Sequence, residues 1–386
     1  MRTTKFAALA AGLTLTFALA ACGGGGAGSS SGASSGAAKT GGLIGVAMPT
    51  QTSQRWIADG AAVEKGLKDA GYTVDLQFAG DDVPTQSQQI DSMITKKVDL
   101  LILASIDGTA LSSQLQAAKA ANIPVIAYDR LIRDSANVDF YVTFDNYKVG
   151  VQQATSLLVG LGLLEADGKT PGKAAPTAPL NVELFAGSLD DNNAHFFFKG
   201  AIETLKPYID KGTIVVKSGQ TTIEKVATLR WLQETAQKRM EDVLTASYSD
   251  GAIVAGVLSP YDGISRGIIT ALTNAGYGQG AKKMPIVTGQ DAEIASVKLI
   301  ADGVQYATIF KDTRKLAEQS VVAAKAFLAG TKPEANDTKS YDNGVKVVPS
   351  FLLDSDIVYK SNINSLLVDS GYYTAAEVAS GLPAAK

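Results

Sequence analysis

One cysteine, one histidine and two tryptophans in 386 residues limit the available chemistry before any motif is considered. A single cysteine excludes a structural disulfide within the chain, so packing alone must hold the fold. The lone histidine, His195, has no Cys-His or His-x-x-x-His partner with which to build a metal site. Charge of one sign is missing as well: 35 Lys and Arg stand against 38 Asp and Glu, a net charge of −3 without the basic excess that a nucleic-acid surface needs. Beyond the first 22 residues no apolar run approaches the roughly 20 residues of a membrane span.

What is present begins with "MRTTKFAALAAGLTLTFALAAC", in which Arg2 and Lys5 precede a short apolar stretch and small residues. This is the pattern of an export signal. The ending "LAAC" resembles the lipobox of bacterial lipoproteins, where cleavage leaves the cysteine N-terminal and lipidated. Residues 1–22 are therefore expected to be a lipoprotein signal peptide, with Cys22 the lipid anchor that ties the exported chain to the outer face of the cell membrane. Residues 23–42, nearly all Gly, Ser and Ala, cannot build a core and read as a flexible tether.

Roughly 345 residues remain, enough for two domains. "GLIGVAMP", "TVDLQFAG", "DLLILAS" and "PVIAY" are apolar runs separated by stretches with helical spacing, a βαβαβαβ order that predicts a parallel sheet covered by helices. The rhythm restarts near Tyr147 with "PLNVELFAG", "GTIVVKSGQ", "GAIVAGVLS" and "MPIVTGQD" alternating with helices. The fold class is α/β, two similar doubly wound lobes with parallel sheets. Ligands of such sheets collect beyond the carboxyl ends of the strands.

Asp129 and Arg130 stand at such an end, after "PVIAY", as do "SQRW" after the first strand and "GQDAE" after "MPIVT". Carboxylates accept hydrogen bonds, guanidinium and ammonium groups donate them, and Asn does both, a set suited to hydroxyl groups. Trp56 and Trp231 each follow an arginine, Arg55 and Arg230. Flat rings over the C–H faces of a pyranose, with charged groups around its rim, describe a sugar site. Enzyme readings fare worse. Asp190 and Asp191 are adjacent acids before a helix, better placed to cap its free amides than to flank a glycosidic bond. "GYGQG" follows a helix, whereas a dinucleotide loop follows a strand.

The stretches "MPTQTSQRW", "ASIDGT", "PVIAYDRLIR", "VTFDN", "GSLDDNNAHFF", "LSPYDG", "VTGQDAE", "TIFKDTRKLA" and "NGVKVVPS" occur in an order that resembles the periplasmic sugar-binding proteins of ABC importers, type I fold, especially the xylose-binding and multiple-monosaccharide-binding branch. The resemblance spans nearly the whole mature chain. It implies a ligand site of Arg55, Trp56, Asp129 and Arg130 from the first lobe, with Asn193, Asn192, Trp231 as the opposing ring, Asp291 and Lys311 from the second. Tyr261 stands where many relatives carry an amide ligand. A three-crossing hinge is implied, with residues 43–146 plus 312–343 in the N-terminal lobe and 147–311 plus 344–386 in the C-terminal lobe. The expected function is capture of a monosaccharide of xylose, glucose or galactose type for an ABC permease and ATPase, by a monomer without catalysis, cofactor or metal. The alternative is a receptor that presents the sugar to a membrane sensor of chemotaxis or a sensor kinase. A sugar-responsive repressor would need a helix-turn-helix where this chain has leader and tether.

Overall fold

The computed structural model describes residues 41–173 and 176–384; the leader, Cys22 and the tether up to residue 40 lie outside the described residues. The chain starts with β1 (Leu43–Met48), α1 (Gln54–Asp69), β2 (Thr73–Phe78), α2 (Val83–Thr95), β3 (Leu100–Leu103), α3 (Ser112–Ala120), β4 (Val125–Tyr128) and β5 (Phe140–Phe144). After Asp145 come α4 (Asn146–Gly160), β6 (Leu180–Leu184), α5 (Asn192–Asp210), β7 (Ile214–Val215), α6 (Ile223–Val226), α7 (Gln233–Ser247), β8 (Gly256–Leu258), α8 (Asp262–Asn274), β9 (Ile286–Val287), α9 (Ile294–Asp302) and β10 (Ala307–Phe310). The chain closes with α10 (Thr313–Leu328), β11 (Ser350–Leu353), β12 (Asp356–Tyr359) and α11 (Ala375–Ser380).

Two sheets result. The first has the order β11-β5-β4-β3-β1-β2, and all its pairings are parallel. The second has the order β7-β6-β8-β9, also parallel, and a bridge between Gln290 and Ile309 ties its β9 side to β10, which pairs antiparallel with β12. The third passage between the sheets thus falls at residues 354–355. The boundary expected at residue 343 is corrected: Ser350 lies opposite Tyr141 and Leu353 opposite Phe144, so residues 350–353 complete the first sheet. "SFLL" is a four-residue apolar run whose place depends on the open edge of β5, a partner remote in sequence that no local periodicity reveals.

Burial on both faces explains the strand sequences. In β3 the side chains of Leu100 and Ile102 enter the core beneath α1 and α10, while Leu101 and Leu103 enter the core on the opposite face, and all four are fully buried. Side chains alternate across a strand, so a strand covered on both sides must be apolar throughout. Each such leucine contributes about 1.5–3 kcal/mol by leaving water.

One packing detail positions the site. A Cβ on Gly150 of α4 would lie 2.0 Å from the Phe197 carbonyl of α5, and a Cβ on Gly200 of α5 would lie 2.2 Å from the Tyr147 carbonyl of α4. Reciprocal glycines let the two helix backbones touch, which fixes the N-terminus of α5 and with it Asp191 and Asn193.

Candidate ligand-binding site

Loops leaving the carboxyl ends of strands in both sheets enclose a cavity of about 340 Å³. From the first sheet come Thr50, Ser53, Arg55 and Trp56 after β1, Asp81 after β2, and Asp129 and Arg130 after β4. Arg55 organises this side. Its Nε donates to Asp59 Oδ2 at 3.0 Å, Nη2 donates to Asp129 Oδ1, and Nη1 lies 3.5 Å from Asp291 Oδ1 of the second sheet. Burial alone would lower the Arg55 pKa, but the three carboxylates raise it well above the usual value. Burial also pushes Asp129 up, yet Arg55 and Lys311 outweigh it and hold the carboxyl below the usual range. Asp59, fully buried with one oxygen accepting from the Tyr128 hydroxyl, is pushed up by burial to about 6 despite Arg55.

Asp129 has left-handed backbone, φ 59°. Its carbonyl accepts from the Tyr141 hydroxyl at 2.6 Å, the Thr143 hydroxyl at 3.0 Å and Asn193 Nδ2 at 2.7 Å. Three donors on one carbonyl offset the cost of that backbone and aim the side chain. Arg130 donates to the carbonyls of Ser105 and Ile106, and its Nε lies 3.1 Å from Asp191 Oδ2. The guanidinium carbons of Arg55 and Arg130 lie 4.9 and 5.1 Å from the centre of the Trp56 ring, which is only 5% exposed.

The second sheet supplies Asn193, Phe197, Trp231, Tyr261, Gln290 and Asp291, and Lys311 follows β10. Asp191 caps α5 by accepting from the Asn193 amide at 2.9 Å. Lys311 Nζ lies 3.0 Å from Asp291 Oδ1 and is buried near the rings of Phe144 and Phe197. Trp231 sits in a short 3-10 turn in which both Arg230 and Trp231 have positive φ. Its ring stands edge-on to Phe197 and Tyr261 and covers Gly187, and its indole N–H has no acceptor among the described residues. The Tyr261 hydroxyl donates to Glu293 Oε1 at 2.7 Å, and Arg266 holds the other Glu293 oxygen at 2.7 Å.

The lining carries Arg55, Arg130, Arg230, Arg266 and Lys311 against Asp81, Asp129, Asp191, Glu234 and Asp291. Cations and acids balance, so the wall favours a neutral ligand rich in hydrogen-bonding groups. Aromatic faces beside that balanced rim are suited to a ligand with apolar faces and polar edges.

A family profile described as "Periplasmic binding protein domain" matches residues 44–332. The chain belongs to the periplasmic binding protein family. It is 55% identical over 337 residues to a multiple sugar-binding periplasmic receptor of Rhizobium radiobacter, covering 87% of this chain and 92% of that one. It is 35% identical over 335 residues to the D-xylose-binding periplasmic protein of Escherichia coli, covering 87% and 92%. Among solved structures, an ABC transporter solute binding protein from Clostridium phytofermentans with bound β-D-glucose is similar at TM-score 0.80 and 47% identity, covering 87% of this chain and 99% of that one. The family is one of solute-binding proteins, not enzymes.

In this periplasmic binding protein the cavity brings together Arg55, Trp56, Asp129, Arg130, Asn193, Trp231, Tyr261, Asp291 and Lys311. Asn192, expected beside Asn193, is not among the lining residues. Asn193 donates through Nδ2 to the Asp129 carbonyl, while Asn192 Nδ2 is buried with no partner among the described residues. Asp81, Asp191, Arg230, Arg266 and Gln290 line the wall without having been singled out as ligand contacts. Asp191 was read as a helix cap, and it also meets Arg130. The signal for Arg230 was its place beside Trp231. Three phenylalanines follow one another in α5: Phe197 reaches the cavity, Phe196 stacks on Tyr341, and Phe198 packs against the core between α5 and strands β6 and β8.

Proposed function

We propose that this protein is the substrate-binding lipoprotein of an ABC sugar importer, capturing a monosaccharide of xylose, glucose or galactose type between its two lobes and delivering it to the permease and ATPase. In this reading it is exported, anchored through Cys22, and works as a monomer whose lobes close about three chain crossings. The observation that carries the proposal is the cavity wall, in which charge is balanced and indole rings stand beside paired acids and bases. The sugars named for its relatives support the same ligand class.

Trp231 would cover one face of the sugar ring and Trp56 would border it, while Arg55, Asp129, Arg130, Asn193, Asp291 and Lys311 hold hydroxyl groups. Charge-assisted hydrogen bonds contribute about 1.5–3 kcal/mol each. Several of them reach the roughly −8 kcal/mol of a micromolar complex after ordering costs. Tyr261, held by Glu293, supports the second lobe's wall.

Calorimetric titration of the chain from Leu43 onward with xylose, glucose, galactose, arabinose and ribose tests this, with Asp129→Ala alongside. Micromolar binding of at least one sugar, recovered chemically unchanged, and at least a hundredfold loss in the variant are expected. Failure to bind any of the five, or hydrolytic turnover of their glycosides, would overturn the reading.

A further inference from the structure

Resting on the sugar-receptor reading, one more residue of the wall can be given a role. β2 forms the outer edge of the first sheet, three strand spacings or about 14 Å from β4. The crossings between lobes leave from β5, β10 and β11, so β2 is the strand of the first sheet farthest from them. Asp81 follows β2 and lines the cavity, whereas Lys311 lies beside the ring of Phe144 at the end of β5, four strand positions away in the first sheet. Its φ is 61°, a left-handed conformation that it shares on the cavity wall with Asp129, Arg230, Trp231 and Asp291. Its N–H donates to the Pro49 carbonyl at 2.8 Å, which fixes the turn.

The three acids lining the cavity nearer the crossings are committed: Asp129 to Arg55, Asp191 to Arg130 and Asp291 to Lys311. Asp81 is half-buried, and no cationic group lies within ion-pair distance of it among the described residues; Arg130 and Arg230 stand farther off. Burial pushes its carboxyl above the usual range, as befits a group partly withdrawn from water. The Thr50 hydroxyl is its polar neighbour. An acid so placed keeps lone pairs for a hydroxyl at the ligand edge remote from Lys311. If the paired groups hold the ring hydroxyls, as proposed above, Asp81 is left for the substituent that extends beyond the ring, the exocyclic hydroxymethyl.

We propose that Asp81 is a specificity-determining residue that accepts a hydrogen bond from the hydroxymethyl group of a hexose and thereby sets the preference of this receptor between hexoses and pentoses.

Glucose and xylose test this well, because xylose has the ring stereochemistry of glucose without the hydroxymethyl group, and 6-deoxyglucose lacks only its hydroxyl. Titration of the chain from Leu43 onward, which holds both sheets, and of its Asp81→Asn variant with all three sugars forms a double-mutant cycle. Asn preserves the size of the side chain and tolerates left-handed backbone. The expected result is at least a tenfold loss of glucose affinity in the variant, with less than threefold change for xylose and 6-deoxyglucose. Equal losses for all three sugars, or an unchanged glucose affinity, would overturn the assignment while leaving the sugar reading standing. If the unaltered chain binds none of the three but binds another sugar, the assignment fails alone; if it binds no sugar at all, both fall.

Discussion

The two Arg-Trp pairs look alike as sequence and differ in nearly every physical respect. Trp56 lies in the first turn of the regular helix α1, is 5% exposed, and belongs to the core of the first sheet with two guanidinium groups near its ring. Trp231 lies in a left-handed 3-10 turn, half-buried, edge-on to two other rings and with its N–H unpartnered among the described residues. The first indole is held by the fold. The second is held by a loop whose left-handed backbone is costly for an arginine or a tryptophan, at about 1–3 kcal/mol per site. A stacking ring can therefore be part of a core or be mounted above one, and only the mounted kind is separable from stability.

The sharpest way to break that distinction is truncation. Trp56→Ala is expected to lower unfolding stability by about 3–5 kcal/mol, the cost of deleting a large buried side chain, measured by urea unfolding. Trp231→Ala is expected to cost less than half of that while weakening sugar binding by about a hundredfold, as a central aromatic contact does. Equal stability losses would erase the difference between the two sites.

A smaller effect comes from Asp59, which lies under Arg55 on the same helix as Trp56. Burial raises its folded pKa to about 6. The unfolded chain then releases this proton first as pH rises, so the stability contributed below pH 4 is lost between about pH 4 and 6, up to about 3 kcal/mol. Unfolding free energies of the protein and of Asp59→Asn, compared at pH 4 and pH 7, should shift in favour of the variant by that order. A gap that does not change with pH would show that Arg55 keeps Asp59 ionised throughout.

The smallest change is a single methyl group. Alanine at Gly187 would place its Cβ 2.0 Å from the Trp231 ring, which must then move. Gly187→Ala is expected to cost about 1–3 kcal/mol of stability and to weaken sugar binding about tenfold, with calorimetry as the readout. Unchanged affinity would mean that the position of the Trp231 ring does not matter to the ligand.

Much of the first lobe was legible because its buried strands are apolar to their last residue. Asp129 after "PVIAY" and Arg55-Trp56 after "GLIGVAMP" mark where the apolar strands end and the cavity wall begins. Two adjacent amides at a helix start look equivalent in sequence; what sets Asn193 apart is the Asp129 carbonyl, a partner remote in the chain. Asp81 was missed as a wall residue because it follows an edge strand of mixed composition, "TVDLQF", in a left-handed turn that residue type alone does not announce. The third crossing was misplaced because the pairing of β11 depends on the edge of β5.

That pairing bears on how the protein folds. Tyr141 cannot find Ser350 until β6 to β10 of the second lobe have been synthesised. Closing so long a loop costs entropy before any native contact repays it, and non-local pairings of this kind slow folding. The lobe that begins first must wait for most of the other before its sheet is complete.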